Sequence, residues 1–316
     1  MQKILIIGSA GQIGSELVPV LREKYGDENI IAGWHNKKCD GNTLSNSIAC
    51  NIDITDANAL ESAIKKHEIN VIYHLASMLS AAAEKNPQAA YSVNMGGLFN
   101  VLEAARKNNC SVFFPSSIGA FGPSTPKDKT PQVTIQRPNT MYGITKLAGE
   151  LLCDYYFQKY NVDTRGVRFP GLISYKTAPG GGTTDYAVEI FYAAAKNETY
   201  ECFLKEDTTL DMMYMPDAIS AMVKLMQADG STLKNRNAYN ITAMSFSPSQ
   251  IFNEIKKRLP DFSITYKPDL IRQSIADSWP HSLNDENARN EWGWKPTYDL
   301  PAMVDDMIKN ILSYGT

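Results

Sequence analysis

Short runs of β-branched and other apolar residues alternate with longer stretches of mixed polarity through the first half of the chain. The apolar runs fall at 3–7 (KILII), 29–33 (NIIAG), 47–52 (SIACNI), 70–75 (NVIYHL), 111–115 (SVFFP) and 164–169 (TRGVRF). Their length and composition predict buried strands. Between them, amphipathic stretches at 12–25, 56–67, 87–108 and 142–160 predict helices, and Asp56 stands where a helix N-cap belongs, ahead of Ala57, Leu60 and Ile64. Strands alternating with helices need right-handed crossovers and a parallel sheet covered on both faces. The pattern therefore predicts an α/β architecture with a doubly wound parallel sheet. After Gly171 the rhythm breaks. Segments 172–183, 197–212 and 261–300 are rich in Pro, Gly, Thr and aromatics, with helical patterns at 184–196, 216–228 and 248–259 between them. These pieces predict a second, smaller α/β lobe interleaved with returns to the first.

Composition narrows the function without naming it. The 316 residues carry 31 basic and 34 acidic side chains, a net charge of -3, which argues against a nucleic-acid binder. No apolar run approaches the ~20 residues of a membrane span. The start runs straight into Lys3-Ile4-Leu5-Ile6-Ile7 and lacks the pattern of a signal peptide. Cys39, Cys50, Cys110, Cys153 and Cys202 are scattered and form no CxxC pair, so neither a disulfide framework nor a zinc cage is expected. A reducing, cytoplasmic setting fits. His35, His67, His74 and His281 show no metal-ligand spacing, and no metal is expected.

The first candidate chemistry lies at Gly8-Ser9-Ala10-Gly11-Gln12-Ile13-Gly14, directly after the first strand and opening the first helix. In that context Gly8, Gly11 and Gly14 permit a tight turn, close backbone approach to a pyrophosphate and close helix–strand packing, with Gln12 and Ile13 beside it. The helix start then offers free N–H groups to phosphates. A dinucleotide domain over 1–171 plus 213–260 follows, with a substrate-binding lobe over 172–212 plus 261–316. The acidic residue that usually accepts the adenosine ribose hydroxyls is missing: the second strand ends in Gly33-Trp34-His35-Asn36-Lys37-Lys38. His35 and Asn36 are the candidates there, and a basic cluster also admits a 2′-phosphate. Asp53 and Ile54, after the third strand, are placed to meet the adenine edge and face.

Tyr142 and Lys146 stand four apart, on one face of a helix. A nearby cation lowers a phenol's pKa and makes Tyr a usable base. Tyr155/Lys159 and Tyr192/Lys196 share the spacing, but only the first pair follows a strand end bearing hydroxyls, Ser116 and Ser117.

Glycine loop, Ser117 and Tyr142-x-x-x-Lys146, in that order, resemble the extended short-chain dehydrogenase/reductase family. Several segments resemble, more closely, the branch of that family that oxidises the 3-hydroxyl of L-threonine: 116–122, 168–174, 179–187, 212–217 and 277–289. That branch usually carries Asp where this chain has Trp34. The resemblance implies a Rossmann domain, NAD as cofactor (with NADP admitted because of Trp34), and 2-amino-3-oxobutanoate as product. It implies that Tyr142 takes the hydroxyl proton, that Lys146 holds the nicotinamide ribose, and that Ser117 orients the substrate, with Ser116 as helper or rival. Leu75, Ala76, Asn94, Phe169 and Pro170 would border the cofactor. A zwitterionic amino acid needs hydroxyl and backbone donors and an acceptor for its ammonium. Ser80, Thr184 and Trp279 are the first choices, with Thr183 and Asp185 as alternates, and Gly180-Gly181-Gly182 reads as a mobile loop. Family members commonly dimerise through the helices at 87–108 and 142–160, so a homodimer is expected.

Two other readings stand beside this one. Relatives acting on nucleotide sugars carry an Arg where this chain has Leu210, ahead of Asp211, and Leu cannot grip a diphosphate bidentately. A non-catalytic dinucleotide sensor would not need Ser117, Tyr142 and Lys146 together.

Overall fold

The structure is a computed structural model that describes residues 2–36, 48–177 and 180–314. The six apolar runs form β1 (Ile4–Ile7), β2 (Ile30–Trp34), β3 (Ala49–Asn51), β4 (Val71–His74), β5 (Ser111–Ser117) and β6 (Thr164–Phe169). The second half adds β7 (Gly171–Ile173), β8 (Tyr200–Cys202), β9 (Leu210–Tyr214), β10 (Tyr239–Asn240), β11 (Met244–Phe246) and β12 (Ile264–Tyr266). The main sheet has the order β10-β6-β5-β4-β1-β2-β3 and is parallel throughout. It is a doubly wound Rossmann sheet, as its alternating pattern predicts.

β1 explains why this sheet reads as a continuous apolar run. Successive side chains point to opposite faces. Ile4 and Ile6 join one apolar cluster with Leu17, Val18 and Leu21 of the first helix (Gly14–Tyr25) and Met222 of helix Met215–Gln227. Leu5 and Ile7 join another with Leu60 and Ile64 of helix Ala57–Lys66, Leu98 and Val101 of helix Gly97–Asn108, and Cys153 of helix Met141–Tyr160. Helices on both faces leave no solvated side, so no polar alternation survives. Asp56 caps its helix as expected, accepting from Asn58 and Ala59 N–H at 3.0 Å each.

The stretch read as one helix over 87–108 is three pieces: Pro87–Tyr91, a π-helical turn at Ser92–Gly96, and Gly97–Asn108. The break puts the Gly97 backbone against Ile54, whose Cδ1 lies 2.4 Å from where a Cβ would stand. The irregular 261–300 segment holds β12 and the helices Leu270–Ser278 and Glu286–Trp292, and Leu300–Tyr314 is a further helix. Strands of two or three residues carry no readable period, which is why β7, β8, β10, β11 and β12 escape a sequence reading. β11-β9-β7 and β12-β8 form two small sheets over a third cluster that includes Ile173, Tyr186, Leu210, Phe246, Ile251 and Met307. Ile251 and Ile255 of helix Pro248–Lys256 pack in this cluster, whereas Ala288 and Trp294 pack against the main sheet.

One buried ion pair ties helix Met141–Tyr160 to the sheet edge. Arg168 Nε and Nη2 donate to Glu150 at 3.0 and 2.8 Å, and Arg168 Nη1 donates to Gln132 O and Asn240 Oδ1. Both partners are buried, so removing one leaves an uncompensated charge. Glu150→Ala is expected to destabilise the fold by about 3–5 kcal/mol. Equilibrium urea unfolding reads this directly, and a loss below about 1 kcal/mol would contradict it.

Candidate active site

The carboxyl ends of β1, β2 and β4 meet where strand order reverses, the usual place for a ligand in such a sheet. β1 runs into Gly8, whose φ of +89° suits glycine, and whose N–H, with that of Ser9, donates to Gly33 O at 3.0 Å. A Cβ on Gly8 would sit 2.9 Å from Ala76 N, and one on Gly14 would sit 2.3 Å from Gly8 O. Gly11 turns between them, its N–H donating to Gly8 O. The loop is thus a bare backbone cradle that leads into a helix start, and Gln12 Nε2 is buried beside it without a partner. Such a cradle fits a pyrophosphate.

Two pockets flank it. The first is lined by Gly8, Trp34, His35, Asn36, Asp53 and Ile54, with Ala76 and Val93 at its side. Asp53 Oδ1 accepts from Thr55 N and Oγ1 at 2.9 and 2.7 Å, and Oδ2 lies 3.7 Å from His35 Nε2. The Thr55 hydrogen bonds, helped by His35, hold the Asp53 carboxyl below its usual range. Trp34 is in the wall where a carboxylate was sought. Lys37 and Lys38 lie outside the described residues, as do Cys39 and Pro179.

The second pocket lies at the ends of β4, β5 and β6. Gln12, Ile13, Leu75, Phe169 and Pro170 form its nucleotide side, and Ser116, Ser117, Tyr142 and Lys146 its floor. Ser80, Thr183, Thr184, Asp185 and Trp279 close the far end. Residues separated by more than 260 positions therefore converge in one cavity.

The floor is set by close contacts. Thr140 Oγ1 accepts from Gly143 N and caps helix Met141–Tyr160, and a Cβ on Gly143 would lie 2.2 Å from Gly119 O. That seats the helix start on the turn after β5. Lys146 Nζ donates to Pro115 O at 2.7 Å and stands 5.5 Å from the Tyr142 ring centroid. Burial lowers the ammonium to about 8, opposed by Glu150. Burial also raises the Tyr142 phenol to about 12, opposed by a hydrogen bond with Ser117. In the protein without a bound dinucleotide, exclusion of water sets the direction of the phenol's shift. The two serines part company. Ser117 addresses Tyr142, while Ser116 Oγ donates to Glu150 Oε1.

Asn94 lines neither pocket. Its Oδ1 accepts from Met78 N at 2.8 Å and Ser77 Oγ at 3.2 Å, and its Nδ2 donates to Met78 O and Thr145 Oγ1. Asn94 therefore braces the 77–78 turn against helix Met141–Tyr160. At the far end, Ser80 is buried at the start of helix Ser80–Lys85, and Thr183 Oγ1 is buried with no partner. Asp185 Oδ2 accepts from Gly181 and Gly182 N–H at 2.7 Å each, and burial raises its carboxyl despite those donors. Thr184 lies against Gly171, and Trp279 follows helix Leu270–Ser278. A sequence reading missed Ser77, Leu79 and Leu172 in the wall and gave Gly182 only as part of a mobile loop; of the first three, Ser77, close after the β4 end, alone carried any signal. Among the described residues no helix is long and apolar enough to cross a membrane.

A sequence model of the NAD dependent epimerase/dehydratase family matches residues 4–242. The chain belongs to this family. An uncharacterized epimerase/dehydratase of Staphylococcus saprophyticus is 52% identical over 311 residues, 98% of this chain and 97% of that one. Among solved structures, L-threonine dehydrogenase from Clostridium difficile is 54% identical with a TM-score of 0.97, over 100% of this chain and 99% of that one. A GalE-like L-threonine dehydrogenase from Cupriavidus necator, in its holo form, is 50% identical with a TM-score of 0.95, over 98% and 99%. For an enzyme of the epimerase/dehydratase family, the glycine cradle and the Tyr142–Lys146 floor are the parts that distinguish a reaction site from a packing defect.

The Lys146 ammonium should leave a thermodynamic trace. Its folded value of about 8 lies below the ordinary 10.5. Between these values the unfolded chain binds more protons than the folded one, so this residue makes stability rise with pH across that window. Lys146→Met should be more stable than wild type near pH 7, with the gap narrowing by about pH 9.5 in urea unfolding. A gap that stays constant with pH would place the ammonium in water-like surroundings.

Proposed function

We propose that the protein oxidises the 3-hydroxyl of L-threonine to 2-amino-3-oxobutanoate, with NAD as the hydride acceptor. The observation that carries this reading is the second pocket itself. A Tyr142–Ser117–Lys146 floor, its lysine buried, adjoins the glycine cradle on one side and, on the other, an end lined by hydroxyls and one carboxylate, the groups a small zwitterion needs. The threonine dehydrogenases at about half identity over the whole chain support it.

NAD, when bound, supplies the acceptor for the hydride leaving C3 and a positive ring whose charge joins Lys146 in favouring the phenolate. Tyr142 receives the hydroxyl proton as the carbonyl forms, and Ser117 holds that hydroxyl by hydrogen bonding. Lys146, fixed by Pro115 O, keeps its charge over the phenol's side of the pocket and has donors left for ribose hydroxyls. Thr183 Oγ1 and Ser80 offer donors for the substrate carboxylate, and Asp185 an acceptor for its ammonium. Trp279 walls the site against water.

A nucleotide-sugar reading fares worse. Leu210 is wholly buried in the third apolar cluster, and the buried Asp211 is engaged by Thr242 Oγ1 and Leu283 N, so this segment offers a diphosphate nothing. A non-catalytic sensor would have no use for a phenol held beside a buried ammonium at Tyr142 and Lys146. A cytoplasmic setting is supported by Cys50, Cys110, Cys153 and Cys202, all free thiols.

A homodimer through the helical faces within 87–108 and 142–160 is part of the same proposal. Tyr91, Phe99, Leu151 and Tyr155 stand exposed there. Light scattering at micromolar concentration should give twice the mass of the 35.1 kDa chain, and a monomer would remove this element.

Purified protein with L-threonine and NAD should produce reduced cofactor, followed by its absorbance. Tyr142→Phe is expected to lower kcat by a factor on the order of 10²–10⁴ while changing NAD binding by less than about threefold. No turnover of threonine with either NAD or NADP would sink the proposal, and a Phe variant that keeps its activity would move the base elsewhere.

A further inference from the structure

The first turn of helix Gly14–Tyr25 does more than end the glycine loop. Glu16, one turn into that helix, is buried although ionisable. Its Oε1 accepts from Ser174 Oγ, and its Oε2 stands 3.7 Å from Lys176 Nζ. Ser174 Oγ in turn accepts from Lys176 N at 3.1 Å. One residue earlier, Ser15 Oγ lies 3.0 Å from Thr177 Oγ1 and donates to Gln12 O. Three successive contacts thus clamp the segment 174–177 to the start of the nucleotide helix.

None of Glu16, Ser174 or Lys176 lines the second pocket, and none has a task in proton or hydride transfer. A buried carboxylate is expensive to keep, and here burial raises its pKa against the help of Ser174 and Lys176. What it holds is more informative. Segment 174–177 is the direct continuation of β7, whose Gly171 and Leu172 form pocket wall. β7 has no slack against its neighbours: a Cβ on Gly171 would lie 2.4 Å from Met212 Sδ and 2.6 Å from Thr184 Cγ2. A shift of Ser174 therefore reaches Thr184 through packed backbone.

We infer that Glu16 is a positioning residue: by anchoring Ser174 and Lys176 to the nucleotide helix, it sets where β7 and Thr184 stand at the amino-acid end of the pocket. Substrate affinity then depends on the same helix whose amino terminus faces the dinucleotide phosphates. The coupling is reciprocal in binding free energy, so occupancy of one end stabilises the other. This rests on the reading of the second pocket as the amino-acid site.

The test uses the intact protein and the variants Glu16→Ala, Glu16→Gln and Ser174→Ala. Glu16→Ala should raise KM for L-threonine about tenfold and leave kcat, and the Kd of NAD measured without threonine, within about twofold of wild type. Glu16→Gln, which keeps an acceptor for the Ser174 hydroxyl, should recover most of that loss. Unchanged threonine KM overturns the inference. So does a weakening of NAD binding measured without threonine together with a lower melting temperature, the mark of a helix that merely packs badly. Should Glu16→Ala fail to fold, Ser174→Ala removes the clamp from the other side and is read the same way.

Hydrogen–deuterium exchange gives a readout that needs no turnover. NAD alone should slow exchange of wild-type peptides over 171–177 and 180–187. Glu16→Ala should lose that protection while still binding NAD by titration calorimetry. Protection in wild type without threonine turnover would sink the substrate assignment and support the clamp. Equal protection in Glu16→Ala would sink the clamp.

Discussion

The architecture of the site rests on two places where the backbone has no room for a side chain. Gly14 lies so close to Gly8 O, and Gly8 so close to Ala76 N, that a single methyl group at either would force β1, the first helix and the end of β4 apart. Because they touch, the helix start comes down at the carboxyl edge of the sheet. Gln12 and Ile13 then enter the wall of one pocket while Gly8 and Ala76 enter the other. The same approach brings Glu16 against the segment leaving β7. A dinucleotide cradle and the placement of the second lobe therefore follow from one steric constraint.

A second constraint is electrostatic. Helix Met141–Tyr160 is seated by Gly143 on the Gly119 carbonyl and tied at Glu150 to Arg168. That seat forces Tyr142 and Lys146 into surroundings that disfavour charge on both: the phenol rises and the ammonium falls. Groups whose pKa is shifted by their surroundings are common at reaction sites, where a bound charge can shift them again. The cost is borne by packing elsewhere, in the three apolar clusters that lock the helices to the sheets.

Under the proposed function, the pocket narrows a family scaffold to a substrate class. The Rossmann half supplies the cradle and the Tyr–Lys floor, which many reactions use. Selection comes from what closes the far end. Asp185, held by two glycine N–H groups, and the unpartnered Thr183 hydroxyl present complementary chemistry over a short span, and Trp279 seals it. Leu210, by contrast, is turned into apolar core. The mechanistic roles proposed for these residues follow from that geometry.

Local pattern was enough for the parallel sheet, the glycine loop, the Asp56 cap and the Tyr142–Lys146 face, because each rests on contacts within a few residues or on a period of two or 3.6. It was not enough for β7, β8, β10, β11 and β12, which are too short to carry a period, nor for the π turn at Ser92–Gly96, which lies next to Gly97 against Ile54 some forty positions away. Nor could spacing tell that Asn94 would be consumed by Met78 and Thr145, that Ser116 would turn to Glu150, or that burial would raise the phenol in the protein alone. The chain by itself determined the kind of fold and which residues are candidates for its chemistry. Only the tertiary structure decided which of them share a pocket, which are spoken for by neighbours and what charge they hold, since desolvation and hydrogen-bond competition arise between segments far apart in sequence.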